Sequence, residues 1–462
     1  MESDKSSFRH PLTLSILSSE FGTVRSPYST RERTLNDLLA DVCGRFSKKV
    51  TDPLYRTSAF ILVTRLLNVV AGFFFWLVAA RLYSTNAVGL ATALISSVGI
   101  VVLFSRLGFD ISLIRFIGEE KNRESVFNTC LAVTTLASFA VGLVIFALVP
   151  LLSTELSFVR SSEYFVLFLF FAIASSIVSI TGTAFIAMRK ARYYMLQSLV
   201  LASRIPLLLP LAFAGTYGIF GSVGLAFLLS SLFAFLVISG YVRLTFRMNA
   251  GFVRNTFRFS ARNYVSGILF DIPALIMPLM VLNTLGDIEA GKYYIAFAIG
   301  GIVLTIPDAM STSLLVEGSH GENLRVNFRK AALAIYALLL PSVVAFYLLG
   351  RGFLGLFGEP YLQSLDLLKL LVLSSLFAAV YSLYVPIKII RYQMGKVIGV
   401  NAARFLLIVG LSYVLLKPYG IAGIGYAWLL TYALLSVGIL FSLRRETWSD
   451  VEPSSIRIDD LR

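Results

Sequence analysis

Seven ionisable side chains lie inside long apolar stretches, and with them this chain could do chemistry: Arg65, Arg106, Arg204, Arg404, Lys388, Asp271 and Asp308. Charge inside an apolar span is costly, so such residues pair, line a polar cavity or reach for an interface. At 1.5 Å per helical residue, Arg65 lies roughly 10 Å inside the start of its stretch, Arg204 roughly 10–13 Å and Arg404 about 10 Å. These three are too deep to snorkel easily, and a guanidinium pairs bidentately with phosphate oxygens. Buried ion pairs that merely fix packing are the alternative. Arg106 and Lys388 sit nearer a stretch end, where snorkelling explains them readily. Asp271 lies two residues before Pro273, and Asp308 directly follows Pro307. A carboxylate beside a proline-broken helix can hold a proton or cation and bias the bend; it can equally satisfy freed backbone amides.

The elements that must position these residues are membrane spans. The 462 residues are 57% hydrophobic and 14% charged, with a mean hydropathy of +0.80, outside the soluble range. About 20 apolar residues cross a hydrocarbon core about 30 Å thick. The fold class this predicts is an all-α integral membrane protein with about twelve transmembrane helices, drawn over 58–81, 88–107, 127–152, 163–187, 196–215, 219–241, 260–283, 291–315, 329–349, 366–388, 397–416 and 421–443. The net charge of +14 gathers in alternate loops, as on the cytoplasmic flanks of membrane helices. One side carries Arg115, Lys121, Arg123, Arg189, Lys190, Arg192, Arg243, Arg247, Arg254 and Arg258, then Arg325, Arg329, Lys330, Arg391, Lys396, Arg444 and Arg445. The other holds Arg160, Lys292, Arg351 and Lys417, with Arg81 at a span edge. This distribution predicts a cytoplasmic-membrane protein with both termini cytoplasmic.

A repeat with an offset of about 200 residues runs through the chain: Gly99-Ile100-Val101 returns as Gly301-Ile302-Val303, Ser112-Leu113 as Ser313-Leu314, and Tyr217-Gly218-Ile219 as Tyr419-Gly420-Ile421. Arg204 and Arg404 fall in matching spans. Six spans per half make the repeats parallel, related by an axis along the membrane normal, which would set these two arginines on opposing walls of a cavity joined by Arg65. The domain plan is a cytoplasmic basic leader over 1–57, six-helix bundles over 58–242 and 260–443, a basic linker over 243–259 and a cytoplasmic tail over 444–462. The leader lacks the apolar core of a signal peptide. Its positions Leu35, Leu38, Leu39, Val42, Phe46 and Val50 keep helical spacing, as in a helix lying on an anionic leaflet; a frayed basic leader is the other reading.

Other chemistry finds little support. Basic residues are not interleaved with exposed aromatics, which argues against nucleic acid. His10 and His320 lack ligand-spaced neighbours, so no metal site is expected; Cys43 and Cys130 form no disulfide framework, and Cys130 reads as a small buried hydrophobe. The loop over 82–87 has no carboxylate, and no nucleotide-binding glycine loop or nucleophile elbow occurs, so the expectation is a protein that is not an enzyme.

The first hairpin resembles the polysaccharide flippases of the multidrug/oligosaccharidyl-lipid/polysaccharide exporter superfamily, which include the Wzx-type O-antigen flippases. The likeness rests on Arg65 early in the first span, the turn Leu82-Tyr83-Ser84-Thr85-Asn86-Ala87-Val88-Gly89, the stretch Leu107-Gly108-Phe109-Asp110 with Ile114-Arg115-Phe116-Ile117, and the basic turn Arg189-Lys190-Ala191-Arg192-Tyr193. It implies a V-shaped pair of six-helix bundles with alternating access, moving a polyprenyl-(pyro)phosphate-linked oligosaccharide between leaflets for cell-surface glycan assembly. Substrate-binding residues would be Arg65, Arg204, Arg404, Arg106 and Lys388, with Asp271 or Asp308 coupling to a proton or sodium gradient. No cofactor is expected; partners would be the lipid-linked oligosaccharide, membrane lipids and polysaccharide assembly proteins. A drug or metabolite exporter of the same fold is the runner-up, and a membrane-bound glycosyl or polyprenyl-phosphate transferase the third reading.

Overall fold

The computed structural model describes residues 53–117, 123–152, 162–245, 248–319 and 324–444, so the amphipathic pattern over 31–50 lies outside the described residues. From Arg56 onward the described residues form one compact unit. In chain order the helices are α1 (Pro53–Leu82), α2 (Thr85–Ser105), α3 (Phe109–Phe116), α4 (Arg123–Leu152), α5 (Ser162–Ala187), α6 (Ala191–Leu201), α7 (Arg204–Leu207), α8 (Thr216–Ile238), α9 (Ala250–Leu285), α10 (Asp287–Ser319), α11 (Leu324–Phe357), α12 (Leu365–Ile390), α13 (Met394–Tyr419) and α14 (Ala422–Arg444), with 3-10 turns at Ala212–Ala214 and Glu359–Ser364. In a bilayer every backbone polar group must be satisfied internally, and helices do this within one segment.

Eleven helices among the described residues are long and apolar enough to cross a membrane. The fifth expected span, over 196–215, is not one helix. It is broken into α6, the single turn α7 and the 3-10 turn. Pro206 and Pro210 each remove a donor and crowd the preceding turn, and the chain responds by tightening. Leu208 N donates to Ile205 O at 3.2 Å, Leu209 N to Pro206 O at 3.3 Å and Ala212 N to Leu209 O at 3.3 Å, the i to i−3 pattern of a 3-10 helix. The segment still traverses the fold. It begins beside the basic turn Arg189–Arg192, and its far end receives a hydrogen bond from Tyr83 Oη to Leu208 O at 2.8 Å, at the cation-poor end where α1 turns into α2. Pro273, Pro278, Pro307, Pro341 and Pro386, by contrast, lie inside continuous helices. The basic segment over 243–259 is helical from Ala250 onward, because Asn249 caps α9 by accepting from Phe252 N at 3.0 Å.

The two halves of the repeat share one apolar core, running from Phe75, Trp76 and Val98 to Tyr293, Leu371 and Trp428. At the cation-rich end a smaller cluster packs Phe109, Leu113, Phe127 and Phe185 around Cys130, which is fully buried. The halves meet through α2, which packs against α9 and α10. At the cation-poor end this contact is backbone on backbone. Gly89 and Gly291 are each the fifth residue of their helix, about 200 residues apart. A Cβ on Gly89 would lie 1.9 Å from Asp287 O, and one on Gly291 2.4 Å from Thr85 O. Hydrogen bonds cross the same seam: Asn86 Nδ2 to Asp287 Oδ2 at 3.2 Å, Arg81 Nε to Leu356 O at 2.6 Å and Arg81 Nη2 to Gly355 O at 3.1 Å.

Candidate functional site

Between α1 and α10, a mostly apolar groove of about 230 Å³ is lined by Val69, Gly72 and Trp76 on one wall and Ala298, Gly301 and Thr305 on the other. Both walls are helical faces, so the periodicity of each helix extends them. On α1, residues 65, 69, 72 and 76 are spaced i, i+4, i+7, i+11, which places Arg65 on the groove face one to two turns nearer the cation-rich end. On α10, residues 298, 301, 305 and 308 are spaced i, i+3, i+7, i+10, which places Asp308 on the facing wall. The helices run antiparallel and are pinned by Trp76 against Tyr294, whose ring centroids are 4.6 Å apart. From that contact Arg65 is about 16 Å and Asp308 about 21 Å away along the helix axes, so the apolar groove ends in a basic and an acidic side chain at comparable depth. Both are exposed.

Arg204 sits behind the α1 wall, at the break in the fifth crossing. Its guanidinium lies over the Phe75 ring at 5.1 Å, and a Cβ on Gly72 would stand 3.8 Å from its Nη2. Gly72, which lines the groove, thus adjoins the guanidinium. The Nε of Arg204 is buried and finds no hydrogen-bond acceptor among the described residues. Such a group costs free energy unless a ligand supplies the acceptor, and Pro206 and Pro210 are the reason the chain holds it here rather than on a regular helix face.

A second cluster forms around Asp271 of α9, near the end of α2 and the α10 wall. Asp271 lies within electrostatic reach of Arg106, Arg404, Asp308 and Asp110, and Ser382 Oγ donates to Asp308 Oδ1 at 3.1 Å. Asp271 and Asp308 are both exposed. Arg106 is half-buried, and its buried Nε also lacks an acceptor.

Arg404 occupies a different position from the one expected of it. It is 3% exposed, donates from Nε to Tyr432 Oη at 2.9 Å and from Nη1 to Phe270 O at 2.8 Å, and lies 4.6 Å from the Phe270 ring and 5.6 Å from that of Trp428. Asn401, one turn away, receives the Tyr381 hydroxyl and donates to Ser266 Oγ at 2.9 Å. Arg404 and Asn401 thus pin α13 to α9 just before Asp271 and Pro273. Membership of a matching span does not make Arg404 the counterpart of Arg204, because its rotation about α13 turns it into the aromatic interior. Lys388 is also apart from the groove, fully buried with Nζ 4.9 Å from the Tyr384 ring. Helical spacing therefore sets Arg65 and Asp308 on the two helix faces that line the groove, with Arg204 beside Gly72 behind one of them, while Arg106 is grouped with Asp271 and Arg404 and Lys388 are withdrawn into the interior. Replacing Arg404 by Ala should lower stability by roughly 2–5 kcal/mol, through the cavity and the unpaired Tyr432 and Phe270 groups. The check is the thermal midpoint of purified protein, which should fall with Arg404→Ala and not with Arg65→Ala.

The paired glycines at the seam, and Asn86 with Asp287, were not singled out from the sequence. The signal was present: Gly89 and Gly291 share the repeat offset of about 200 residues.

The fold is that of an all-helical membrane protein, and solved membrane proteins share it. The fold is similar to an inward-facing multidrug resistance MATE family transporter (TM-score 0.64, 16% identity, covering 84% of this chain and 96% of that one). It is similar also to the lipid II flippase MurJ in an inward closed conformation (TM-score 0.65, 14% identity, 84% and 88% covered), and to a superfamily transporter from Pyrococcus furiosus described as having a binding pocket of reverse polarity (TM-score 0.56, 16% identity, 85% and 96% covered). No curated protein matches the sequence. Residues 54–315, more than half of the chain, match the polysaccharide biosynthesis protein family, and the chain belongs to that family.

Proposed function

We propose that this protein is a flippase that carries a polyprenyl-(pyro)phosphate-linked oligosaccharide from the cytoplasmic to the outer leaflet of the cytoplasmic membrane by alternating access between its halves. The observation that carries the reading is Arg204, whose buried Nε lacks an acceptor beside a groove between α1 and α10. A phosphate there satisfies the guanidinium, the apolar groove walls suit a prenyl chain, and Arg65 at the mouth supplies a first electrostatic contact. The cation-rich loops set the entry side as cytoplasmic, and the joined seam of Gly89 and Gly291 closes the pathway at the outer end. Asp271 and Asp308 are the groups through which a proton or sodium gradient would bias the bend of α9 and α10. Their exposure is also the observation that favours the second reading, an exporter of cationic drugs.

Reconstitution in proteoliposomes separates the two. The flippase reading expects the cell's own lipid-linked glycan to move between leaflets, with no uptake of ethidium, and expects Asp271→Asn with Asp308→Asn to lose the response to an imposed pH or sodium gradient. Ethidium transport without glycan-lipid movement would replace it with the exporter reading. Orientation is tested in a Cys43→Ser background: Ser84→Cys and Glu359→Cys, both at exposed positions, should react with an impermeant thiol reagent in sealed cells, and Ser125→Cys should not. The reverse pattern would overturn the assigned direction.

A further inference from the structure

A cavity of about 830 Å³ at the cation-poor end straddles the seam between the halves. One wall is the start of α2, with Ser84, Thr85 and Asn86; the other is the start of α10 and the 3-10 turn, with Asp287, Lys292, Glu359 and Gln363. The same Asn86 and Asp287 bridge the seam, so the cavity lies directly over the closed outer contact and must open with it.

Its charge is unlike that of the groove beyond. The one cation, Lys292, is 7% exposed and already engaged: Nζ donates to Glu289 Oε1 at 2.5 Å and to Gln363 Oε1 at 2.6 Å. The starts of the two flanking helices are answered as well. Ser84 Oγ accepts from Ala87 N at 3.4 Å, and Asp287 Oδ1 from Ile288 N at 2.7 Å. With Asp287 and Glu359 in the walls, an incoming phosphate would meet carboxylates and, among the described lining residues, no unengaged ammonium or guanidinium, a repulsive match. What the walls do offer is a set for a neutral polyol. Gln363 spends its carbonyl on Lys292 and so keeps its amide N–H donors, and Glu359 is an exposed acceptor. Thr85 adds a hydroxyl, the Ser84 hydroxyl being held by Asn86 and Ala87, and Ile288 and Leu362 give apolar area for the C–H faces of sugar rings.

We propose that this cavity is a carbohydrate-binding exit site, which takes the sugar portion of the transported headgroup and rejects its phosphate. The inference rests on the flippase reading and adds a second, outer subsite to it. The phosphate is held where arginines lie, deep in the groove, and the glycan is received against walls whose lining holds no arginine, so binding is handed outward without a second phosphate trap to delay release.

The test uses two probes on purified full-length protein in nanodiscs: the free glycan released by mild acid from the cell's own lipid-linked pool, and a short-chain prenyl phosphate. Gln363→Glu keeps an acceptor for Lys292 while removing the amide donors, and Glu359→Ala removes an exposed acceptor. Each should weaken glycan binding at least fivefold, leave prenyl phosphate binding unchanged and lower export of the lipid-linked glycan in cells; Arg204→Ala should do the opposite in binding, losing the prenyl phosphate and keeping the glycan. No saturable glycan binding beside intact prenyl phosphate binding overturns the exit site alone. Glycan binding that is lost in these variants while export is unchanged assigns the cavity to free sugar and also overturns the proposal. Loss of both probes' binding in the wild-type protein would instead sink the flippase reading on which it rests.

Discussion

Arg204→Ala is expected to reduce export of the lipid-linked glycan by at least about tenfold, with normal amounts of folded protein in the membrane. A charge-assisted hydrogen bond to phosphate contributes about 1.5–3 kcal/mol, or roughly 10- to 100-fold in affinity. The residue is distinctive because its loss should not harm the fold. Its buried Nε is without an acceptor and its contact is the Phe75 ring, so the empty protein carries an unfavourable group that alanine removes. The thermal midpoint of Arg204→Ala should therefore be equal to or above that of the parent, while binding of a short-chain prenyl phosphate is lost. Lysine should restore part of that binding, since it keeps the charge without the planar fork. Full export by the alanine variant, or a fall in its thermal midpoint with binding retained, would remove Arg204 from the site.

The second large effect is expected at the seam. A Cβ on Gly89 meets the backbone oxygen of Asp287 at 1.9 Å, and one on Gly291 meets that of Thr85 at 2.4 Å. Neither neighbour is a flexible side-chain end, so the helices themselves must separate. Overpacking of this kind costs about 1–3 kcal/mol or more, and it falls only on the state in which the outer ends touch. Gly89→Val and Gly291→Val should therefore hold that end open and cut export to below roughly a tenth. The direct measure is an oxidative cross-link between Asn86→Cys and Asp287→Cys, positions whose side chains hydrogen-bond at 3.2 Å. The cross-link should form readily in the parent and fail when either valine is added. Cross-linking that is unaffected by both valines would show that the seam yields without opening.

Much of the fold was legible because a bilayer leaves a chain few choices. Apolar length sets the crossings and loop cations set the orientation expected of them, and both are properties of composition along the chain. Even the departure in the fifth crossing was written locally, in Pro206 and Pro210, although a hydropathy window passes over them. The paired glycines carried the repeat offset but no chemistry of their own, and only their neighbours reveal what the missing side chains permit.

The amino-acid sequence by itself determined that Arg65, Arg204 and Arg404 lie deep within apolar stretches, that Arg204 and Arg404 occupy matching spans, and that Asp271 and Asp308 adjoin prolines. Rotation of each helix about its axis was decided by tertiary packing. Tyr432, Trp428, Tyr381 and Phe270 close around Arg404 and consume its donors, whereas Gly72 leaves space beside Arg204 and the broken helix offers its Nε no acceptor. Two arginines at equal depth in related spans thus become a structural pin and a candidate ligand-binding residue. The cost of a buried guanidinium is met by protein groups in one case and left for a ligand to meet in the other, and that depends on which side chains distant in the chain are brought within hydrogen-bonding range.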